Sequence, residues 1–445
     1  MVDEIVFNYR DFVLNKQSYP DYYTAVSFHN QSALLELKNT VNGRYNDYKA
    51  AMDMLKKRTT KQYFQKIYSA QTDVQSYSFK SFPAYKFILP ETLADDWAST
   101  VDWHKEWATR DHSLHQPLSA YIVQRLLGFG KADNSLLTPN GRLLSLCAEK
   151  LLNSAGTEYI REYFEEIYPE FQDWYPNQKK IWATCLFYET AVVAALFHDM
   201  GYPWQFVNRL KEHIDFANYL DKENTDLGSG DSIFDYLKNH LLCMPFNAYS
   251  PINDQTTAKD IQSIKDVMHR AYIKSHGLPG ALAFTALTSQ TFSFPEPLSH
   301  DAATTKLKME MAAVAILMHD MEGMYRQGDK CFHLSFDVDP LSCIIAMSDV
   351  LEEFERPSAS FENDFIGHDG IVHIKYKVPC VATDLKIENS NMKIVYQYNT
   401  LEDANKSRKR RKEEINNYFG IGSGFVDLSA LGITQVDCDT ELQPL

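Results

Sequence analysis

The amino-acid sequence predicts a mainly α protein: a multi-helix bundle core, a helical N-terminal extension and a small α+β region at the C-terminal end. Two observations carry this. Apolar residues recur at helical spacing almost without a break from about 96 to 356. After 357 the texture changes to β-branched and aromatic runs separated by Asn- and Asp-containing segments, which read as strands and turns. The implied division is 1–95, 96–356 and 357–445, within the roughly two to three domains that this length allows.

In the first part, Leu34, Leu35, Leu37 and Val41 suit one helix and Tyr48, Met52 and Leu55 another. Tyr63, Phe64, Ile67 and Tyr68 follow, and Pro83 and Pro90 punctuate the exit. The aromatic residues here read as packing residues.

The middle block offers helices over 117–128, 141–153, 157–167, 179–199, 204–221, 231–242, 258–274, 278–289, 304–321 and 340–355. Thr138-Pro139 and Asp339-Pro340 are start signals, and Gly128 is a stop signal. Polar segments Asp221–Asp231 and Tyr249–Gln255 read as loops. No internal repeat of 20 to 50 residues stands out. Strands are expected at 371–378 and 392–398, then a charged helix over about 400–418. Its basic run, Arg408 to Lys412, is followed by Glu413 and Glu414, so a solvated helix face is expected rather than a nucleic-acid patch.

A formal charge of −15 argues against a general nucleic-acid binder, because such a surface repels phosphates. The seven cysteines are scattered, with no C-x-x-C pair, which argues against a disulfide framework or zinc finger. The first residues lack the basic-then-apolar order of a signal peptide. No apolar run approaches the ~20 residues that span a bilayer. The expectation is a soluble, cytoplasmic protein with no membrane partner, free to form a homo-oligomer.

The chemistry is concentrated at helix ends. Ala191 to Phe197 is an apolar run that closes in His198-Asp199, with Gly201-Tyr202-Pro203 stopping the helix. A charge at the end of such a run is costly to bury unless a partner neutralises it. A metal ion is an effective partner for imidazole and carboxylate. His-Asp occurs four times, at 198, 300, 319 and 368, but only His198 and His319 end long apolar runs. His300-Asp301 and His368-Asp369 are expected in surface loops. His115 opens an apolar helix, His276 opens another, and Asp349 lies late in a third. Metal sites in helical bundles are built in this way, from inward residues on facing helices.

The order His115 … His198-Asp199 … Asp349 resembles the HD superfamily of metal-dependent phosphohydrolases, from near residue 110 to near 356. The resemblance implies an HD-type bundle in which His115, His198, Asp199 and Asp349 hold a first metal. Asp199 would bridge to a second ion about 3.5–4 Å away, with His276 and His319 as the added ligands. Asp320 would orient a ligand. His112, three residues before His115, is the alternative ligand or a proton donor to the leaving group. His104 and His269 are expected to be surface or packing residues.

The implied reaction is hydrolysis of a phosphoester in a nucleotide or other small phosphorylated substrate by water activated on one or two divalent ions. Imidazole-rich ligation suits Fe, Mn, Co, Ni or Zn better than Mg. Arg110, Lys211, Arg270, Arg326 and Lys330 lie near candidate ligands in sequence and are candidate phosphate contacts.

Two departures matter. In the HD-GYP cyclic-dinucleotide phosphodiesterases the Gly-Tyr-Pro follows a later segment, whereas Gly201-Tyr202-Pro203 follows the first His-Asp directly, so that activity is not assigned. The 82 residues between His115 and His198 suggest inserted helices. Three alternatives stay open: a dNTPase-like triphosphohydrolase, a non-catalytic HD module that binds a nucleotide or protein, and a plain helical scaffold in which these side chains lie far apart.

Overall fold

A computed structural model of the chain describes residues 4–8, 11, 112–154, 157–199, 201, 271, 275–291, 298–321, 326–327, 330–331, 333–354, 358–366, 372–377 and 380–443. Among these the protein is mainly α, with eight α-helices. In chain order they are α1 (His112–Leu126), α2 (Leu143–Asn153), α3 (Glu158–Ile167), α4 (Pro176–Phe197), α5 (Gly277–Thr291), α6 (His300–Met318), α7 (Pro340–Leu351) and α8 (Leu401–Phe419).

Local chemistry explains their limits. The Asp339 side chain accepts a hydrogen bond from the Ser342 N–H and caps α7, with Pro340 in its first turn. The Ser299 side chain does the same for α6 through Ala302. Beyond α1, Gly128 takes a φ of 71°, the left-handed stop that a glycine meets without strain. Pro117 reads as a first helical residue, yet α1 begins earlier, at His112, and so carries His115 in its first turn. His300-Asp301, expected in a surface loop, opens α6 instead, and the His300 ring packs among Phe164, Tyr168 and Trp174.

The bundle packs α4 against α1, α2 and α6, with α5 on α6 and α7 on α1, α4 and α6. Helix α4 is long and apolar enough to cross a membrane by composition alone, but most of it is buried inside the protein. Burying Val192, Leu196 and Phe197 on it contributes about 1.5–3 kcal/mol for each large side chain. Between α4 and α6, Lys308 is buried and its Nζ donates to Glu189. Glu189 is partly exposed, so the pair keeps the buried ammonium charged more than it adds stability.

The strands, numbered in chain order, are β1 (Glu4–Asn8), β2 (Leu137–Thr138), β3 (Gly141–Arg142), β4 (Arg326–Gln327), β5 (Lys330–Cys331), β6 (Leu334–Ser335), β7 (Ser358–Ile366), β8 (Val372–Lys377), β9 (Ala382–Glu388), β10 (Asn391–Tyr398), β11 (Val426–Asp427) and β12 (Gln435–Leu442). The main sheet has the order β1-β9-β10-β12. Its first three strands are antiparallel neighbours, while β12 is parallel to β10 because the crossover helix α8 lies between them.

The expected strands near 371–378 and 392–398 and the charged helix are present as β8, β10 and α8. The region is not a free-standing appendage. Within the segment expected to be a helical N-terminal extension, residues 4–8 form a strand, with Ile5 and Phe7 buried at the period of two that a strand requires. β11 pairs with β6, which lies between α6 and α7. The N-terminal helices around Leu34 to Tyr68, the expected helices 204–221 and 231–242, and both polar loops lie outside the described residues, as does 258–274 apart from the helical Ala271.

The basic run departs from a purely solvated face. Lys409 and Lys412 are exposed, but Arg411 is only 3% exposed. Of the seven cysteines, Cys147, Cys185, Cys343, Cys380 and Cys438 are free thiols.

Candidate metal centre

Five helix ends meet at one point. His115 stands in the first turn of α1 and His276 directly precedes α5. His198 and Asp199 follow α4, His319 and Asp320 follow α6, and Asp349 lies in the last turn of α7. Three C-terminal ends, those of α4, α6 and α7, therefore turn the negative ends of their helix dipoles toward this point, which favours cations. At the start of α5 the His276 and Gly277 N–H groups donate to Asp320 Oδ2 and Ser275 Oγ.

The four imidazoles turn their Nε2 atoms inward. His115 Nε2 lies 3.1 Å from His198 Nε2, and His276 Nε2 lies 3.0 Å from His319 Nε2. Asp199 stands between the two pairs. Its Oδ2 is 3.4 Å from His115 Nε2, while its Oδ1 is 3.3 Å from His198 Nε2 and 3.1 Å from His276 Nε2. Asp349 Oδ1 lies 2.9 Å from His115 Nε2 and 3.8 Å from His198 Nε2. Ligand-capable atoms of His115, His198 and Asp199 lie within 4.8 Å of one another. The same limit holds for Asp199, His276 and His319, and for His198, His319 and Asp349.

Each ring is held from behind at Nδ1. His198 Nδ1 is 2.8 Å from the Ala195 carbonyl oxygen and His319 Nδ1 is 2.7 Å from that of Ile316, each three residues back in its own helix. A carbonyl oxygen only accepts, so Nδ1 carries the hydrogen and the neutral ring presents a lone pair at Nε2. His276 Nδ1 is 2.8 Å from Asp320 Oδ2, and His115 Nδ1 is bonded to Glu352 Oε2. The carboxylates act as the carbonyls do and also add negative charge behind the ring, as partners of metal-binding histidines commonly do.

Two Nε2 atoms about 3 Å apart hold either a hydrogen or a metal ion between them. Two donors about 2.1 Å from one ion and at right angles stand about 3.0 Å apart. The donor set therefore fits one or more divalent ions of the imidazole-preferring kind. Asp199, with Oδ1 near His198 and His276 and Oδ2 near His115, touches both histidine pairs, as a bridging ligand would.

The electrostatics follow the geometry. Burial, then the neighbouring His276 and His198, push the His319 pKa down to about 4, so this ring is neutral at neutral pH. Burial alone would raise the Asp320 pKa, but the charge and hydrogen bond of His276, with His319 and Ser275, bring it down to about 2. Asp349 is likewise held well below the usual carboxylate range, burial being outweighed by hydrogen bonds and charge from His115 and His198. The Asp320 carboxylate is fixed by three donors: Ser275 Oγ at 2.8 Å, the His276 N–H at 2.9 Å and the His276 ring. The side chains of Asp349 and Asp320 are 23% and 30% exposed, whereas those of Asp199 and His276 are 2% and 8% exposed, so the centre opens toward those two carboxylates.

Three glycines permit the convergence. A Cβ on Gly201 would overlap the His276 carbonyl oxygen and stand 2.6 Å from the Gly280 nitrogen. A Cβ on Gly277 would stand 2.7 Å from the Leu317 carbonyl oxygen. The glycine after His198-Asp199 thus does more than stop a helix: it lets the backbone before α5 lie against the end of α4.

Of the expected site residues, His115, His198, Asp199, His276, His319 and Asp349 come together, and Asp320 lies behind His276. His112 is the first residue of α1, and its side chain falls outside the description. Arg110, Lys211, Arg270, His104, His269 and His368 lie outside the described residues. Arg326 and Lys330 fall on the neighbouring strands β4 and β5 of a hairpin. Sequence reasoning missed the role of Glu352. Its position one turn after Asp349, at the end of an apolar helix, was the available signal.

Compared with protein-family models, with curated proteins and with solved structures, the chain finds no match in any of the three.

Proposed function

We propose that the chain is an HD-type metal-dependent phosphohydrolase that cleaves a phosphoester bond in a nucleotide or another small phosphorylated substrate. The observation that carries this reading is the position of Asp199, whose Oδ1 lies near one histidine of each pair while its Oδ2 faces His115, in a cluster that includes Asp349. His115, His198, Asp199 and Asp349 would hold a first divalent ion, and His276 and His319, with Asp199 shared, a second. When bound, such ions lower the pKa of water and hold phosphoryl oxygens.

The chain's own groups do the rest. Glu352, Asp320 and the carbonyls of Ala195 and Ile316 hold each ring at Nδ1 and aim its Nε2 at the centre. The half-buried Asp349 and Asp320 line the way in, and Asp320, ionised at neutral pH, is able to accept a proton at Oδ2 only at the cost of its bond to His276. We therefore assign it to orientation rather than to proton transfer.

Elemental analysis of the purified protein beside Asp199→Ala tests the proposal. One or two equivalents of a transition metal, lost in the variant and accompanied by hydrolysis of a phosphoester panel that the variant fails to cleave, is the expected result. A wild-type protein that cannot be loaded with Mn, Fe, Co, Ni or Zn would rule it out.

A further inference from the structure

The C-terminal sheet grips the one stretch of chain that serves the metal centre from both sides. Residues Asp349 to Phe354 form the last turn of α7 and the short segment that follows it. Asp349 faces His115 and His198, and Glu352 holds His115 from behind. The intervening and following residues are held by the other region. The Tyr396 hydroxyl, from β10, donates to the Val350 carbonyl oxygen at 3.2 Å. Arg411 Nη2, from α8, donates to Glu353 Oε2 at 2.6 Å. Phe354 forms a parallel bridge with Cys380, just before β9.

Arg411 is built for this contact. Its guanidinium lies 4.6 Å from the centre of the Tyr396 ring, and its Nη1 donates to Glu414 at 2.9 Å. An almost fully buried guanidinium with two carboxylate partners and an aromatic face has little freedom of its own. It fixes Glu353, which is covalently next to Glu352. The last turn of a helix is ordinarily where a helix frays, and here that turn carries a metal-ligand candidate. Arg411 and Tyr396 stop the fraying from outside the bundle.

We propose that Arg411 and Tyr396 are positioning residues of the metal centre, acting through Glu353 and Val350 to hold Asp349 and Glu352 in place. The inference rests on the metal-site reading above. On this view the C-terminal region is a working part of the centre, and losing the Arg411–Glu353 contact weakens metal binding at a distance.

The test compares Arg411→Ala and Arg411→Lys with Ile415→Ala, all in the full chain. Ile415 is buried on the same helix, so its truncation loosens α8 without touching Glu353. Two readouts are taken: manganese affinity by chelator competition, and amide hydrogen exchange across residues 349–354 in metal-free protein. Arg411→Ala is expected to weaken manganese binding about tenfold, the low end of the effect of losing an outer partner, and to speed exchange across 349–354. Arg411→Lys, which keeps the charge and loses the fork, falls between it and wild type. Ile415→Ala lowers the thermal midpoint and leaves both readouts near wild type. Equal behaviour of Arg411→Ala and Ile415→Ala in both readouts overturns the proposal. A wild-type protein that takes up no manganese counts against the functional reading alone, and the exchange comparison then decides the role of Arg411.

Discussion

His276 and His319 face each other through their Nε2 atoms at 3.0 Å, and each is anchored at Nδ1, one by Asp320 and the other by the Ile316 carbonyl. Two rings so oriented can give both Nε2 atoms to one divalent ion. Metal loading is therefore expected to raise the thermal midpoint. At a free concentration a hundred times the dissociation constant the gain is about 2.7 kcal/mol. Calorimetry with and without a chelator measures it, and His276→Ala should remove most of the difference.

Glu352 is buried behind His115. Glu352→Ala removes the acceptor that fixes the ring's tautomer, and metal affinity should fall by about 10–100-fold. Glu352→Gln keeps an acceptor oxygen and should lose less. Chelator competition on the two purified variants gives the order, and equal losses would show that charge alone matters.

Gly201 has no room for a side chain. Gly201→Ala should cost at least about 2–3 kcal/mol, since the clash is with backbone on both sides. Gly422 is the comparison: it has a φ of 73° but open space around it, so Gly422→Ala should cost only about 1–2 kcal/mol of backbone strain. Urea melts of the two variants compare the costs directly.

The depressed His319 pKa makes the metal-free protein acid-sensitive. In the unfolded chain this ring takes up a proton near its ordinary pKa of 6.5, but in the folded chain only near 4. Between those values the unfolded state binds more protons, so stability rises with pH there and is lost as pH falls from about 6.5 toward 4. Asp349 and Asp320, held low in the fold, contribute stability that is lost only at still lower pH, below their ordinary value of 3.8. His319→Gln should flatten the upper part of the curve, read from unfolding in chelator across that range.

Much of the centre was legible because its residues sit where one-dimensional pattern breaks. An apolar helical run ending in His-Asp is conspicuous, and so is a histidine at the start of the next helix. The anchoring acceptors were less visible. Glu352 and the carbonyls of Ala195 and Ile316 act through ring orientation, which no spacing rule encodes. Arg411 was hidden in a run of basic residues whose neighbours do face water, since α8 turns only one edge inward. Strand β1 was illegible for another reason: its partner Ala382–Glu388 lies at the far end of the chain, and a five-residue pattern does not name a partner. The likeness between Ala191–Asp199 and Ala312–Asp320 is too short to count as a repeat, yet both stretches end in the same ring geometry.

That likeness bears on how the chain tolerates change. In α4 and α6 a rigid rod measures out where each imidazole stands. Adding or removing one residue inside either rod would swing its terminal ring by about 100° and shift it by about 1.5 Å, taking the donor out of reach. The same insertion between the helices has no such lever. The distance from Glu189 to His198 and from Lys308 to His319 is thus a fixed ruler, clamped where those two charges meet, and lineages of this protein should lengthen in their loops while these two intervals keep their count.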